Sequence, residues 1–251
     1  MQEFEERWEV YPSRVGDEFA MYSVNLGVGD GAPYANLPWM NMVRVTFEAG
    51  PGGMPGPEAN EALFDVEDFL HSDAAARGGM QVGRLTYGGR RELFFYSATN
   101  DLDLLQSALE KRFPDLELQS FAQEDAEWTV YFGFLYPTTV DFQRIRNQHT
   151  LRALHDNGDT VETPRPIEHT AFFPDAGARR TFKSELPGKG FSVGSEQEAD
   201  LGDKRYGLLF SSHGPVDLGS IDKLTIPLVR RIDELGGRYD GWTCPLITSQ
   251  S

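Results

Sequence analysis

The chain has 251 residues, 39% apolar and 25% charged, and its 39 acidic against 23 basic side chains leave a net charge of −16. A surface of that sign repels phosphate backbones, which argues against direct nucleic-acid binding as the main task. No apolar run is long enough to cross a bilayer, and the single cysteine, Cys244, excludes an internal disulfide.

The acid is unevenly spread. Residues 1–163 hold 27 Asp/Glu against 12 Lys/Arg, a balance of −15, and residues 164–251 hold 12 against 11, a balance of −1. The acidic start, Met1-Gln2-Glu3-Phe4-Glu5-Glu6, lacks the basic and apolar regions of a signal peptide. With one cysteine, this points to a reducing cytoplasm and no membrane partner.

In chain order, strands are expected around residues 7–11, 19–26 and 42–47, followed by a glycine- and proline-rich loop over 50–57 that reads as a flexible connection. Leu63, Val66, Phe69 and Leu70 mark an amphipathic helix. Residues 80–87 and 91–96 read as a hairpin around Gly88-Gly89, a pair that tolerates positive φ. Leu102, Leu105 and Leu109 give a second helix, and 116–121 with 128–135 read as closing strands. Thr138 caps a helix carrying Val140, Ile145, Leu151 and Leu154 that ends at Asn157-Gly158, and residues 159–166 form a polar, proline-bearing linker. The domain boundary is set there, giving domains 1–157 and 158–251. The spacing does not assign the connecting helix to either side.

Beyond the linker, 167–173 is a strand, and Pro174-Asp175 stops it and caps a helix through Arg179, Phe182 and Leu186. Pro187-Gly188-Lys189-Gly190 ends that helix. Two strands, 191–193 and 206–210, flank an acidic loop. A helix with Ile221, Leu224, Leu228, Ile232 and Leu235 on one face contains Pro227, where a kink or a late start is expected. Residues 238–247 supply the last strand. Each half therefore repeats the order β-α-β-β-α-β, so the fold class is α+β, two tandem ferredoxin-like sandwiches, the first with extra amino-terminal strands.

Catalytic patterns are weak throughout. Glu67 and His71 share a helix face but lack a third metal ligand, and the cluster from His155 to Asp159 reads as a helix stop. The 50–57 loop has no Lys-Ser/Thr to hold phosphate, Ser184 and Ser195 lack a histidine–acid partner, and Cys244 has no activating neighbour. No catalytic residue, metal or cofactor is expected. Two features stand apart. His169 shares a strand face with Ile167, Ala171 and Phe173, and the last strand should lie beside it. It is either a satisfied core histidine or part of a polar group with Tyr239, Asp240 and Trp242 on the sheet face that helices leave open. The tetrapeptide Tyr239-Asp240-Gly241-Trp242, behind Gly236-Gly237, marks a structural corner or a recognition surface.

From Asn157 onward the chain resembles the family of the bacterial regulator of ribonuclease E activity B. Gly158-Asp159, Pro164-Arg165, Ile167-Glu168-His169, Phe172-Phe173, Gly190-Phe191, Gly237 and the closing tetrapeptide carry the likeness. The first half resembles a bacterial domain of unknown function often fused in front of it, through Gly88-Gly89-Arg90-Arg91-Glu92, Phe95-Tyr96, Asp125-Ala126-Glu127-Trp128 and Tyr136-Pro137. The resemblance implies a ferredoxin-like fold and a non-enzymatic inhibitor that binds an endoribonuclease, protein on protein. The expected partner is a basic protein, met by a surface formed or supported by Arg165, His169, Tyr239, Asp240 and Trp242. The competing readings are a ligand-binding or enzymatic pocket at the domain junction using Arg165, His169 and Asp240, and a purely structural or oligomerising module.

Overall fold

Alternating apolar side chains build the first sheet, where Val43, Val45, Leu93 and Phe95 share one buried face. The computed structural model describes residues 5–76, 78–198 and 205–248, and the chain divides into Met1–Tyr136 and Pro137–Ser251. The first four residues of the acidic terminus and the 199–204 part of the acidic loop lie outside the described residues. No helix among the described residues is long and apolar enough to cross a membrane.

In the first unit, β1 (Trp8–Val15) and β2 (Glu18–Asn25) form a hairpin. There follow β3 (Trp39–Thr46), α1 (Pro57–Ala76), β4 (Met80–Tyr87), β5 (Arg90–Ser97), α2 (Leu102–Arg112) and β6 (Glu117–Glu124). The antiparallel sheet runs β1-β2-β4-β5-β3-β6. Leu63, Val66 and Leu70 of α1, with Leu105 and Leu109 of α2, cover its apolar face. Gly88 and Gly89 sit at φ +51° and +75°, as the tight β4–β5 turn requires. The loop expected to be a flexible connection is tied down. Gly50 N–H donates to Met54 O at 2.8 Å, and Gly89 N–H to Gly53 O at 3.1 Å.

Residues 128–135 are not a strand. Asp125 accepts from Thr129 N at 2.7 Å and Val130 N at 2.9 Å, an N-terminal cap that starts a helical turn, and Tyr131–Leu135 continues it as a π-helical turn. The run of aromatics imitates a period of two. Burial instead falls on Tyr131 and Leu135, four apart, while Phe132 and Phe134 are exposed. Trp128 holds φ +56° because its ring is fully buried, stacked on Tyr96 at 3.8 Å, with its indole N–H on Leu37 O at 3.1 Å. The Glu67–His71 pair is also ordinary: Glu67 accepts from Arg84 at 2.6 Å and from Gln81 at 2.8 Å.

The second unit comprises α3 (Thr139–Asp156), β7 (Arg165–Phe173), α4 (Ala176–Glu185), β8 (Ser192–Glu198), β9 (Tyr206–Gly214), α5 (Leu218–Glu234) and β10 (Arg238–Thr243). Its antiparallel sheet runs β10-β7-β9-β8. Numbered within each repeat, this is the order 4-1-3-2, and β6-β3-β5-β4 of the first unit follows the same order. Asp175 caps α4 through Gly177 N and Ala178 N, and Asp217 caps α5 through Ser220 N. The α5 helix starts at Leu218, ahead of Pro227, so no late start occurs. A capping box of Thr138 and Asp141 opens α3, which packs along α5. The contacts divide the units at Tyr136/Pro137, ahead of α3, whereas the linker of residues 159–166 lies behind it.

Candidate functional site

At the end of the second unit, β10 is an edge strand with β7 as its sheet neighbour. Gly241 adopts φ +126°, and the register shifts between Tyr239 and Gly241, so Asp240 sits in a β-bulge. The strand stops after Thr243 rather than at 247. Beyond it the chain turns to the linker, where Thr160 N–H donates to Ile247 O at 2.8 Å and Asp159 bridges Thr248.

Four of the five residues expected at a contact surface lie inside the unit. Tyr239 is buried opposite Ala171, and His169, 1% exposed, is opposite Trp242. His169 Nδ1 lies 2.7 Å from Tyr239 Oη and Nε2 lies 3.0 Å from Ser212 Oγ, while its ring stacks on Phe210 at 5.0 Å and meets Phe191 at 5.7 Å. This is the helix-covered face, not the open one. Burial drives the imidazole down to about 4 and pushes the Tyr239 phenol up. Sequence inspection missed Ser212. The set Ser212–His169–Tyr239 has the outline of a nucleophile, a base and an orienting group, but a base that stays neutral down to about pH 4 is far from the value that proton abstraction near neutrality needs.

Trp242 covers a small cluster with Ile167, Val216 and Ile221, and its indole N–H donates to Asn147 Oδ1 at 2.8 Å. Asn147 is fully buried. It also accepts from Gln143 Nε2 at 2.8 Å and donates to Asp222 at 2.8 Å and Thr225 at 2.9 Å, so one amide joins α3, α5 and β10. The signal in the sequence was a polar residue seven after Val140 and four before Leu151, in line with the apolar face of the helix. Replacing Trp242 by Phe keeps the apolar cover and removes the donor. The expected loss is about 1–2 kcal/mol, read as a lower midpoint in urea with hydrogen exchange followed at β10.

Arg165 is 1% exposed. Its guanidinium donates to Asp159 Oδ2 at 2.6 Å, to Thr160 O at 2.5 Å, and to Thr163 O and Pro245 O, both at 3.1 Å. Asp159 Oδ2 also accepts from Ile247 N at 2.7 Å. Arg165 is thus a clamp between the linker and the segment after β10. Next to it, burial pushes the Cys244 thiol up, away from nucleophilic use.

Asp240 alone of the five is exposed, where Arg238 donates to it at 3.0 Å. It lines a cleft of about 350 Å³ with Gly241, Trp242 and Thr243, closed on the other sides by Glu168 and Thr170 of β7 and by Arg146, His149 and Thr150 of α3. A second cleft of about 320 Å³ lies between Phe142 and Arg146 of α3, Val229 and Asp233 of α5, and residues 237–239.

Residues 6–136 match the model of a family of unknown function, DUF695. Residues 144–244 match the model of the family Regulator of ribonuclease activity B, which takes in all but the first five residues of α3 together with the four-stranded sheet. None of the curated proteins matches the chain. A crystal structure of an unknown protein from Galdieria sulphuraria is 14% identical, over 84% of this chain and 99% of that one, and at a TM-score of 0.23 it carries no argument.

Proposed function

Because this chain belongs to the family of unknown function DUF695 and also carries a region matching Regulator of ribonuclease activity B, we propose that it is a non-enzymatic regulator acting by protein–protein binding. The observation that carries the reading is the extent of the second match, 144–244, nearly the whole of the unit that begins at Pro137. The repeated 4-1-3-2 sheet order supports reading both units as ferredoxin-like sandwiches. The low proton affinity of His169 supports a non-catalytic role for the one serine–histidine pair described above.

The partner is an RNA-degrading endoribonuclease with a basic surface, met within the cytoplasm. Charge supports this choice. The first unit holds 23 acids against 9 bases, a balance of −14, and the second holds 16 against 14, a balance of −2. An acidic field of that size steers basic proteins and repels free RNA. The measurement is cleavage of a labelled RNA by a purified endoribonuclease, with the full chain titrated in. The rate is expected to fall as the chain is added while the chain itself binds no RNA, and the effect to weaken as salt shortens the screening length. Unchanged cleavage at saturating chain, or cleavage by the chain alone, would overturn the reading.

A further inference from the structure

We propose that the second unit takes an extended polypeptide segment into the groove between α3 and β10, adding it to the sheet as a fifth strand and holding one of its carboxylates on Arg146. This rests on the reading of the chain as a protein-binding protein and names the surface that does the binding.

On its sheet side β10 pairs with β7, and among the described residues no backbone bond of residues 238–243 goes beyond that ladder. A row of outward N–H and C=O groups is the template that strand addition uses. The Asp240 bulge makes this edge irregular, and around Gly241 no atom lies within 4 Å of where a Cβ would stand. The edge is open yet irregular, which selects the segment that enters.

The clefts of about 350 and 320 Å³ share Gln143 and Arg146, so together they follow β10 from Gly237 to Thr243. The helix wall from Thr139 to Thr150 is about 16 Å long, and about five residues of extended chain cover that distance. An edge strand on one side and a helix on the other is the geometry in which a peptide gains main-chain bonds from the strand and side-chain contacts from the helix.

Charge then fixes the chemistry of the occupant. Arg146 is exposed and lines both clefts, and its guanidinium has no partner among the described residues. Its neighbours are engaged: Arg144 with Asp141 at 2.8 Å and Arg238 with Asp240 at 3.0 Å. A guanidinium facing an open groove presents the fork that fits a carboxylate. Across the cleft, Glu168 is exposed and likewise unpaired among the described residues. Successive side chains of an extended strand point to opposite sides. A segment with an acidic residue next to a basic one therefore meets Arg146 with the first and Glu168 with the second.

The experiment is selection of a displayed random heptapeptide library on the full chain. Enriched peptides are expected to pair an acidic with a basic residue and to exclude proline from the centre. A resynthesised winner should bind Arg146→Glu about tenfold more weakly, a difference of about 1.4 kcal/mol. The substitution is at the surface, so the melting temperature should hold. N-methylation of one alternate set of the peptide's amides should also cost about tenfold, and of the other set little, because an added strand points every second N–H at its neighbour. No enrichment, equal binding to Arg146→Glu, or indifference to both methylation sets would overturn the proposal. An endoribonuclease inhibited equally by Arg146→Glu overturns the groove and keeps the regulatory reading. Peptide binding with the ribonuclease unaffected keeps the groove and removes that reading.

Discussion

Arg165→Met is expected to destabilise the second unit by about 3 kcal/mol, because it strands a buried carboxylate. The Arg165 and Asp159 side chains are 1% and 0% exposed. With the guanidinium gone, Asp159 keeps only the Ile247 N–H, and the carbonyls of Thr160, Thr163 and Pro245 lose a donor. Net stabilities of domains are about 5–15 kcal/mol, so such a loss is a large part of the total. Hydrogen exchange at β7 and β10 amides reads this unit separately from the first. The double variant Arg165→Met, Asp159→Asn removes the charge while keeping an acceptor for Ile247, and should recover at least about 1 kcal/mol relative to the single change. If the single variant stays within about 1 kcal/mol of the parent chain, Arg165 is not the clamp described here.

The second large effect is a dependence of stability on pH set by His169. Its folded value is lowered by burial from the ordinary 6.5 to about 4. The unfolded chain therefore binds this proton first as pH falls. Stability is full above about pH 6.5, declines through the window from 6.5 to 4, and levels off for this group below that. At 1.36 kcal/mol per unit the loss across the window is about 3 kcal/mol. Urea midpoints between pH 7 and 4.5 should fall accordingly, and His169→Gln should flatten the slope. A variant with the parent's slope would remove His169 as the cause. Should the variant not fold, the imidazole Cε1–H resonance of the parent chain provides the test, and titration above pH 5 would refute the assignment.

Legibility of the fold followed the range of the interactions. Caps at Thr138 and Asp175, the positive-φ pair Gly88-Gly89, and the apolar spacing of Leu63, Val66 and Leu70 all act over a few residues, and each appears as the sequence predicts. The strand expected at 128–135 failed for the complementary reason. Its aromatic alternation is a local signal that competes with another local one, the Asp125 cap on Thr129 and Val130, and the stacking of Trp128 on Tyr96, far apart in sequence, fixes the helical outcome. The sequence leaves His169 open between a satisfied core histidine and an open-face polar group, and places Arg165 among the contact candidates. Their burial depends on partners at Asp159, Pro245, Ser212 and Tyr239 that only the assembled sheet brings within reach.

The tetrapeptide divides along the same line. The sequence alone established that 239–242 opens the last strand of a β-α-β-β-α-β unit, that its glycine would permit a bulge, and that its neighbour would be the strand of His169. Tertiary structure decided which side of that strand faces inward. Tyr239 and Trp242 went to the core, Asp240 to the rim of a cleft, and Asn147, unmarked beforehand, became the polar junction beneath them. Periodicity is written into a few consecutive residues by backbone geometry. The direction a face points is settled by which distant element covers it, here α3 and α5 packing over one side of β7 and β10.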